Sequence, residues 1–169
     1  MENEKCDNNK YNEKELNENN FDNLHIFTFD ELFTKCKVVD VYDGDTITIV
    51  FYYNNNPLKV KFRMAGYDTP EVKLYKTNPN GELHKKAGLF VKDKLKSKIL
   101  NKTYWVKFSK EEKYGRSMGE LYEIVDNKKF NGNEPCINTW VLNNKYGKIY
   151  NGGKKDIFTE EELNKILCS

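Results

Sequence analysis

Apolar and polar side chains alternate through three consecutive segments in the first half of the chain. The segments are 38–42, 46–53 and 58–64, separated by short stretches rich in Asp, Gly, Asn and Pro at 43–44 and 54–57. A period of two is typical of a strand with one buried face, and the separating residues are those that form turns. The pattern therefore predicts a three-stranded meander, with NNNP at 54–57 as its second turn.

The periodicity changes after the third strand. A long loop, GYDTPEVKLYKTNPNGE, is followed by apolar residues at helical spacing from Leu83 to Ile99, which predict a helix of about four turns. Alternation returns in TYWVKF at 103–108 and in SMGELYEI at 117–124, which predict two more strands joined by a polar loop.

Two shorter helices are predicted near the end of the chain. One places Ile137, Trp140 and Val141 on its inner side, and the last begins at Thr159, where Glu162 completes a capping box. Five short strands with a helix inserted after the third fit a small closed barrel. We therefore predict an α+β fold, a five-stranded OB-type β-barrel with about three helices.

The first 24 residues differ from the rest of the chain. They are rich in Asn, Glu and Lys, so we predict a disordered or weakly ordered acidic tail over 1–24 and a single domain over 25–169. The tail lacks the apolar segment of a signal peptide, and no run approaches the roughly 18 apolar residues of a membrane span. These features favour a cytoplasmic monomer without membrane contact, and the abundance of Lys, Asn and Tyr favours an AT-rich genome, viral or protist.

The cysteines and histidines argue against two kinds of site. Cys6, Cys36, Cys136 and Cys168 are far apart and form no CxxC pair, so we expect reduced thiols rather than a disulfide framework or a zinc site. With only two histidines in the chain, a metal or nucleophile-activating cluster built on histidine is excluded as well.

Charge is segregated along the chain. Residues 36–155 carry 23 basic and 13 acidic side chains. Residues 1–35 carry four basic and nine acidic side chains, and residues 156–169 carry one basic and four acidic side chains. A basic body between acidic ends suggests a polyanionic partner such as DNA or RNA, although a solvated lysine surface gives the same count. Charge alone leaves both interpretations open.

Arginine is rare in this lysine-rich chain. The 28 basic residues comprise 26 lysines and two arginines, Arg63 and Arg116, and Arg63 alternates with Lys59 and Lys61 on the polar face of the third strand. The guanidinium group binds phosphate in a bidentate manner and keeps its charge at any working pH. Both arginines are therefore candidates for phosphate contact.

Four carboxylates are expected to meet at one end of the barrel. Asp43 and Asp45 flank the glycine of the first turn, and Asp68 and Glu71 lie in the loop after the third strand. Oxygen donors without His or Cys suit a hard ion, Ca²⁺ or Mg²⁺, and the proline after Thr69 would hold that residue's main-chain carbonyl toward the ion. Water and a substrate phosphate would complete the ligand set. Taken singly, each carboxylate is equally compatible with an ordinary turn or helix start.

Three segments together resemble a known family. DGDT (43–46), FRMAGYDTPE (62–71) and KYGRSMGELY (113–122) look like the signature segments of the staphylococcal nuclease (thermonuclease-like) family, in the same order and spacing. The resemblance covers about residues 37–155. It implies the OB-type barrel and a Ca²⁺-dependent nuclease that hydrolyses phosphodiester bonds of DNA, RNA or both, leaving 3′-phosphate ends.

The resemblance implies a role for each matching acidic position. Asp45, Asp68 and the backbone carbonyl of Thr69 would bind Ca²⁺, with Asp43 close behind them. Glu71 matches the carboxylate that orients or deprotonates the attacking water.

The basic and aromatic positions have implied roles too. Arg63 and Arg116 match the pair that grips the phosphate under attack, and Lys113 and Tyr114 match residues that contact the terminal phosphate of the nucleotide. Tyr150 matches a second nucleotide-binding tyrosine only with a shift of one residue.

Two other functions fit parts of the pattern. Asp43-x-Asp45 after an apolar run is similar to the nucleophile motif of haloacid dehalogenase phosphatases, but that fold alternates strands and helices, whereas Asp45 leads directly into a meander. The main alternative is an inactive nuclease-like domain that binds nucleic acid or a protein partner. Such domains typically lack the arginines or the acidic residues, which this chain keeps. We therefore predict an enzyme.

We also predict that its substrate is single-stranded or unstacked nucleic acid, because an unstacked base can contact Tyr114 or Tyr150.

Overall fold

The computed structural model describes residues 17–20, 22–23, 25–73, 80–109, 116–125 and 129–169. The strands in these ranges are β1 (Phe33–Val41), β2 (Thr46–Tyr53), β3 (Asn56–Met64), β4 (Tyr67–Asp68), β5 (Thr103–Ser109), β6 (Ser117–Glu123) and β7 (Lys148–Ile149). The helices are α1 (Gly81–Ile99), α2 (Ile137–Asn143) and α3 (Glu160–Leu167).

Five of the strands close into a barrel in the order β1-β2-β3-β6-β5. Neighbouring strands are antiparallel except β3 and β6, which run parallel and are joined by a crossover that includes α1 and β5. Closure leaves no unpaired edge in the barrel. This arrangement confirms the predicted α+β fold with a five-stranded OB-type barrel. β4 and β7 pair outside it as a separate two-stranded sheet.

The β2–β3 hairpin is tighter than the sequence suggested. Asn54 and Asn55 both have positive φ, 48° and 64°, as in a two-residue type I′ turn. Pairing resumes at the next residue, and Pro57 lies opposite Tyr52 within the ladder. The predicted turn at 54–57 was therefore too long, because asparagine tolerates the left-handed conformation that the shorter turn requires.

A bulge in β1 determines which residues face outward near one end of the barrel. Val38 pairs with Ile49 and the next pair is Asp40 with Thr48, so one residue of β1 has no opposite partner. After the bulge, Val41 is buried and Asp40 is exposed. Strict alternation from Val38 would have turned Asp40 into the core, so the extra residue keeps this carboxylate on the surface.

The core fills the barrel and continues under α1. That helix is 19 residues long, more than the four turns predicted, and it buries one face. The fully buried residues include Val38, Ile47, Ile49, Phe62, Val106 and Leu121 on the strands, and Ala87, Val91, Leu95 and Ile99 on α1.

The N-terminal end of the chain is only partly described. Residues 17–20 and 22–23 of the predicted acidic tail are exposed, and the rest of that tail lies outside the described residues. None of the described helices has the length and apolar character needed to cross a membrane. Cys36, Cys136 and Cys168 are free thiols, and burial raises the pKa of Cys36 to about 12.

The capping box predicted for the last helix is present. Thr159 Oγ1 accepts a hydrogen bond from the Glu162 backbone N–H at 3.3 Å, and the Thr159 backbone N–H donates to Glu162 Oε2 at 2.7 Å. α3 packs against α1, and Leu163 and Ile166 are its buried residues. The cap therefore fixes the start of the helix that ends the chain.

Replacing Thr159 by Ala should destabilise the protein by about 1 kcal/mol, because the N-cap side chain satisfies a backbone N–H that has no helical partner. The matched control is Thr139→Ala, which changes an exposed threonine inside α2 and should be neutral or slightly stabilising. Urea unfolding of both variants measures the difference. Equal stability of the two would show that the capping box contributes nothing.

Candidate active site

The DGD turn between β1 and β2 is held by its first aspartate. Asp43 Oδ1 accepts hydrogen bonds from the backbone N–H of Asp45 at 3.2 Å and of Thr46 at 2.7 Å. The second aspartate points elsewhere, since its Oδ1 accepts a hydrogen bond from Thr46 Oγ1 at 2.8 Å. The two carboxylates therefore have different roles. Asp43 holds the backbone of the turn, whereas the Asp45 carboxylate contacts other side chains.

The glycine of this turn is needed for close approach. A Cβ at Gly44 would lie 2.5 Å from Thr69 Oγ1 and 2.7 Å from Val91 Cγ1. Glycine is required here because the loop after β3 and helix α1 both pack on the turn.

Arg63 joins the turn to the loop after β3. Its Nη1 donates to Asp45 Oδ2, while its Nη2 donates to the Tyr67 carbonyl at 3.2 Å and lies 3.5 Å from Asp68 Oδ1. The residue alternates with the exposed Lys61, as predicted, yet it is only 3% exposed. Arg63 therefore lies on the predicted face of the strand, but it is buried there because β4 and its carboxylate cover the guanidinium.

β4 is fixed above the turn by a buried tyrosine. The Tyr67 hydroxyl donates to the Gly44 carbonyl at 3.0 Å, and the ring is fully buried. Burial raises the pKa of this hydroxyl well above its ordinary value. On the other side, Gly147 approaches the Asp68 carbonyl so closely that a Cβ would lie 2.5 Å from it. These contacts leave Asp68 little freedom to move.

Glu71 is positioned through its backbone. Its N–H donates to His84 Nδ1 at 3.1 Å, so this nitrogen of the buried imidazole acts as an acceptor. A Cβ at Gly88 would lie 2.6 Å from the Pro70 carbonyl oxygen and 2.7 Å from that of Glu71. The loop therefore packs directly on α1, and this contact fixes the position of the Glu71 backbone.

Lys155, from the segment between β7 and α3, bridges two of these carboxylates. Its Nζ lies 2.6 Å from Asp68 Oδ1 and 3.0 Å from Glu71 Oε1. Burial lowers the pKa of Lys155, but the hydrogen bonds and charges of the two acids outweigh burial and raise it above the ordinary value. The ammonium group is therefore a full positive charge at the centre of the acidic cluster.

The buried carboxylates are crowded. Burial, and then the charge of Asp45, raise the pKa of Asp43 to about 7. Burial also raises the pKa of Asp68, although Lys155 and Arg63 act in the opposite direction. Burial is the main cause of both shifts, and the charge of the neighbouring Asp45 adds to it.

An open cleft of about 390 Å³ lies beside these residues. Four carboxylates and five cationic side chains line it, so the cleft offers both cation-binding oxygens and anion-binding nitrogens. The carboxylates are Asp40, Asp43, Asp45 and Glu71, and the cationic residues are Lys61, Arg63, Lys73, Arg116 and Lys155.

Most of the residues singled out from the sequence converge on this cleft. Asp43, Asp45, Arg63, Glu71 and Arg116 line it directly. Two more lie immediately behind them, because Asp68 contacts Arg63 and Thr69 packs against Gly44. Tyr150 is also near, with the Arg63 guanidinium 5.7 Å from its ring centre. Lys113 and Tyr114 lie outside the described residues.

The donor chemistry of the cluster fits a hard divalent ion with few protein ligands. Asp45 and Asp68 present carboxylate oxygens to one shared partner, Arg63, and carboxylate oxygens are the donors that hard ions prefer. Within the described ranges, no group of three or more His, Cys, Asp or Glu side chains is arranged to hold a metal. An ion here would therefore depend on water and substrate oxygens for most of its coordination.

Sequence reasoning missed Lys155, Tyr67 and His84. Lys155 is one of 26 lysines and lies 84 residues after Glu71, so nothing local marks it. Tyr67 carried a usable signal, since a large aromatic residue between Gly66 and Asp68 breaks the polar character of the loop. The contact of His84 with Glu71 depends on how α1 crosses the barrel.

Gly88→Ala should destabilise the protein by about 1–3 kcal/mol and lower any activity of the cleft, because the new methyl group forces the Pro70–Glu71 backbone away from α1. Lys86→Ala, on the exposed side of the same helix, is the control. Thermal unfolding of the two variants tests this. A Gly88→Ala protein as stable as wild type would contradict the close packing described above.

Comparison with known proteins gives one modest similarity. The chain is 30% identical over 86 residues to a protein of Escherichia coli O157:H7 named as an uncharacterized endonuclease. The match covers 51% of this chain and 46% of that protein, so the chain spans less than half the length of this relative. No model of a known protein family matches the chain.

Proposed function

We propose that this protein is a Ca²⁺-dependent nuclease that hydrolyses phosphodiester bonds of DNA, RNA or both. The observation that carries the proposal is the convergence of Arg63, Arg116 and Glu71 with the buried pair Asp45 and Asp68 at one cleft. The similarity to a protein named as an endonuclease and the basic character of residues 36–155 support it.

The chemistry of the reaction explains why these residue types belong together. A phosphodiester repels nucleophiles, and negative charge grows on its oxygens as the water attacks. Arg63 and Arg116 would offset that charge from the side of the protein. Asp45, Asp68 and the Thr69 carbonyl would hold Ca²⁺, with Asp43 ordering the turn behind them; the bound ion supplies Lewis-acid stabilisation of the same oxygens.

Glu71 is the candidate general base. Its side chain lines the cleft, and its backbone is held by His84, so a water between Glu71 and the phosphate would be presented in a fixed direction. By the family resemblance, the P–O5′ bond breaks and a 3′-phosphate remains. Tyr150, together with Lys113 and Tyr114, would contact the nucleotide.

The outer face of the barrel favours an extended single strand. Lys37 and Lys59 both lie opposite Val50, and Lys61 carries the basic row into the cleft. Tyr52 is 70% exposed on the same face and offers a surface on which a base can stack. A duplex would bring only its backbone to such a face, whereas an unstacked strand also uses the aromatic ring.

The decisive experiment incubates the protein with single-stranded and double-stranded DNA and RNA in Ca²⁺, Mg²⁺ or EDTA. Cleavage that requires a divalent ion supports the proposal if the products carry a 3′-phosphate, which is shown by the loss of that phosphate when phosphatase is added. Binding without cleavage under all conditions would instead favour the inactive nucleic-acid-binding domain.

Glu71→Gln should lower turnover by roughly 10²–10⁴-fold while oligonucleotide affinity changes little, because a base acts in the transition state rather than in binding. Asp45→Asn should instead weaken Ca²⁺ binding, with partial recovery of the rate in excess Ca²⁺. Glu82→Gln, which changes an exposed residue of α1, is the control. Full turnover in Glu71→Gln would remove this residue from the role.

Arg116→Lys should lower kcat/KM on the order of 100-fold, since a lysine cannot reproduce the bidentate phosphate contact. Lys73→Ala removes a charge that lines the same cleft and should have a much smaller effect. Steady-state kinetics on one labelled oligonucleotide compares them. Similar losses in both variants would mean that charge, and not guanidinium geometry, is what the cleft requires.

A further inference from the structure

We propose that Lys155 is a tethered cation that competes with the divalent ion for the carboxylates of the cleft and thereby sets the affinity for that ion. The inference rests on the proposed function, because it concerns the ion that the proposed reaction uses. It assigns a role to a residue that none of the sequence motifs contains.

The first observation is the position of the ammonium group. Lys155 Nζ lies between Asp68, a proposed ligand, and Glu71, the proposed base, at 2.6 Å and 3.0 Å. A divalent ion would approach the same oxygens at roughly 2.3–2.6 Å. The ammonium group of lysine is suited to occupy the position of such an ion, because it is a compact point charge with three donors, unlike the planar guanidinium of arginine.

The second observation is that Asp68 needs a positive partner. This residue is 6% exposed, and the nearby guanidinium of Arg63 is shared with Asp45. An ionised carboxylate that is buried without compensation is strongly unfavourable. Lys155 supplies a compensating charge for Asp68 in the absence of a divalent ion.

The third observation is that the Lys155 side chain is able to move away from the two carboxylates. Its side chain is 42% exposed, and it belongs to an exposed segment over 151–157 that also contains Gly152 and Gly153 with positive φ. Arg63, in contrast, comes from a barrel strand and is 3% exposed. The lysine side chain can therefore turn into solvent without disturbing the core, whereas the arginine cannot.

The competition has a direct consequence for ion binding. The ion must displace an ammonium group from Asp68 before it uses that carboxylate fully, so part of its binding free energy is spent on breaking two ion pairs. Removing the lysine charge should tighten ion binding and, at the same time, leave the ion-free protein less stable.

The test measures Ca²⁺ affinity by isothermal titration calorimetry and ion-free stability by thermal unfolding. Lys155→Met should bind Ca²⁺ roughly 5- to 50-fold more tightly than wild type, melt at a lower temperature without Ca²⁺ and gain more from its addition. Lys155→Arg keeps the charge and should stay close to wild type in affinity. If Lys155→Met folds poorly, Lys155→Gln removes the charge and keeps a donor, with the same expected tightening.

Two matched controls separate this effect from general electrostatics. Lys154→Met removes a neighbouring exposed charge, and Lys165→Met breaks an exposed ion pair with Glu161 on α3. Neither should change Ca²⁺ affinity more than about twofold. Unchanged or weaker Ca²⁺ binding in both Lys155→Met and Lys155→Gln, including no binding at all, would overturn the inference.

The outcomes also distinguish this inference from the proposed function. Tighter Ca²⁺ binding in the charge-removing variants, together with no cleavage by any form of the protein, would uphold the role of Lys155 and overturn the nuclease. Cleavage by wild type with unchanged Ca²⁺ affinity in the variants would do the reverse.

Discussion

The buried guanidinium of Arg63 is the interaction on which this end of the molecule depends. It links Asp45, in the turn just before β2, with Asp68 in β4, and it also donates a hydrogen bond to the Tyr67 carbonyl. Removing one partner from a buried ionic cluster typically costs about 3–5 kcal/mol, because the remaining charges lose their compensation. The barrel and the loop above it are therefore joined by charge as much as by apolar contact.

Small residues make that charge cluster possible. Gly44, Gly88 and Gly147 each stand where a side chain would meet the backbone or the side chain of the loop over 68–71. The loop is thus pressed against the turn, the long helix and the segment before β7 at once. Electrostatic contact at distances near 3 Å requires this packing, since a displacement of one ångström would let water between the charges.

The cluster holds more negative charge than one arginine neutralises, and this excess connects structure to function. Burial, and then the charge of Asp45, raise the pKa of Asp43, and burial raises the pKa of Asp68 against the opposing effect of Lys155 and Arg63. Lys155 and, in the proposed function, a divalent ion are two ways to compensate the same excess. Because the lysine comes from an exposed segment, its displacement by an ion in the proposed function would leave the turn and the strand that carry Asp45 and Asp68 in place.

The sequence by itself determined the elements whose cause is local. Alternation predicted the meander and the later strands, helical spacing predicted α1, and the Thr159 capping box set the start of α3. Turn chemistry, the rarity of arginine and the family resemblance singled out Asp45, Arg63 and Glu71 as candidate site residues. Only the tertiary structure decided that Arg63 is buried, that a bulge keeps Asp40 outside the core, and that Lys155 reaches Asp68. The physical reason is that periodicity and turn chemistry act between residues a few positions apart, whereas burial and ion pairing depend on which distant segments the closed barrel brings together.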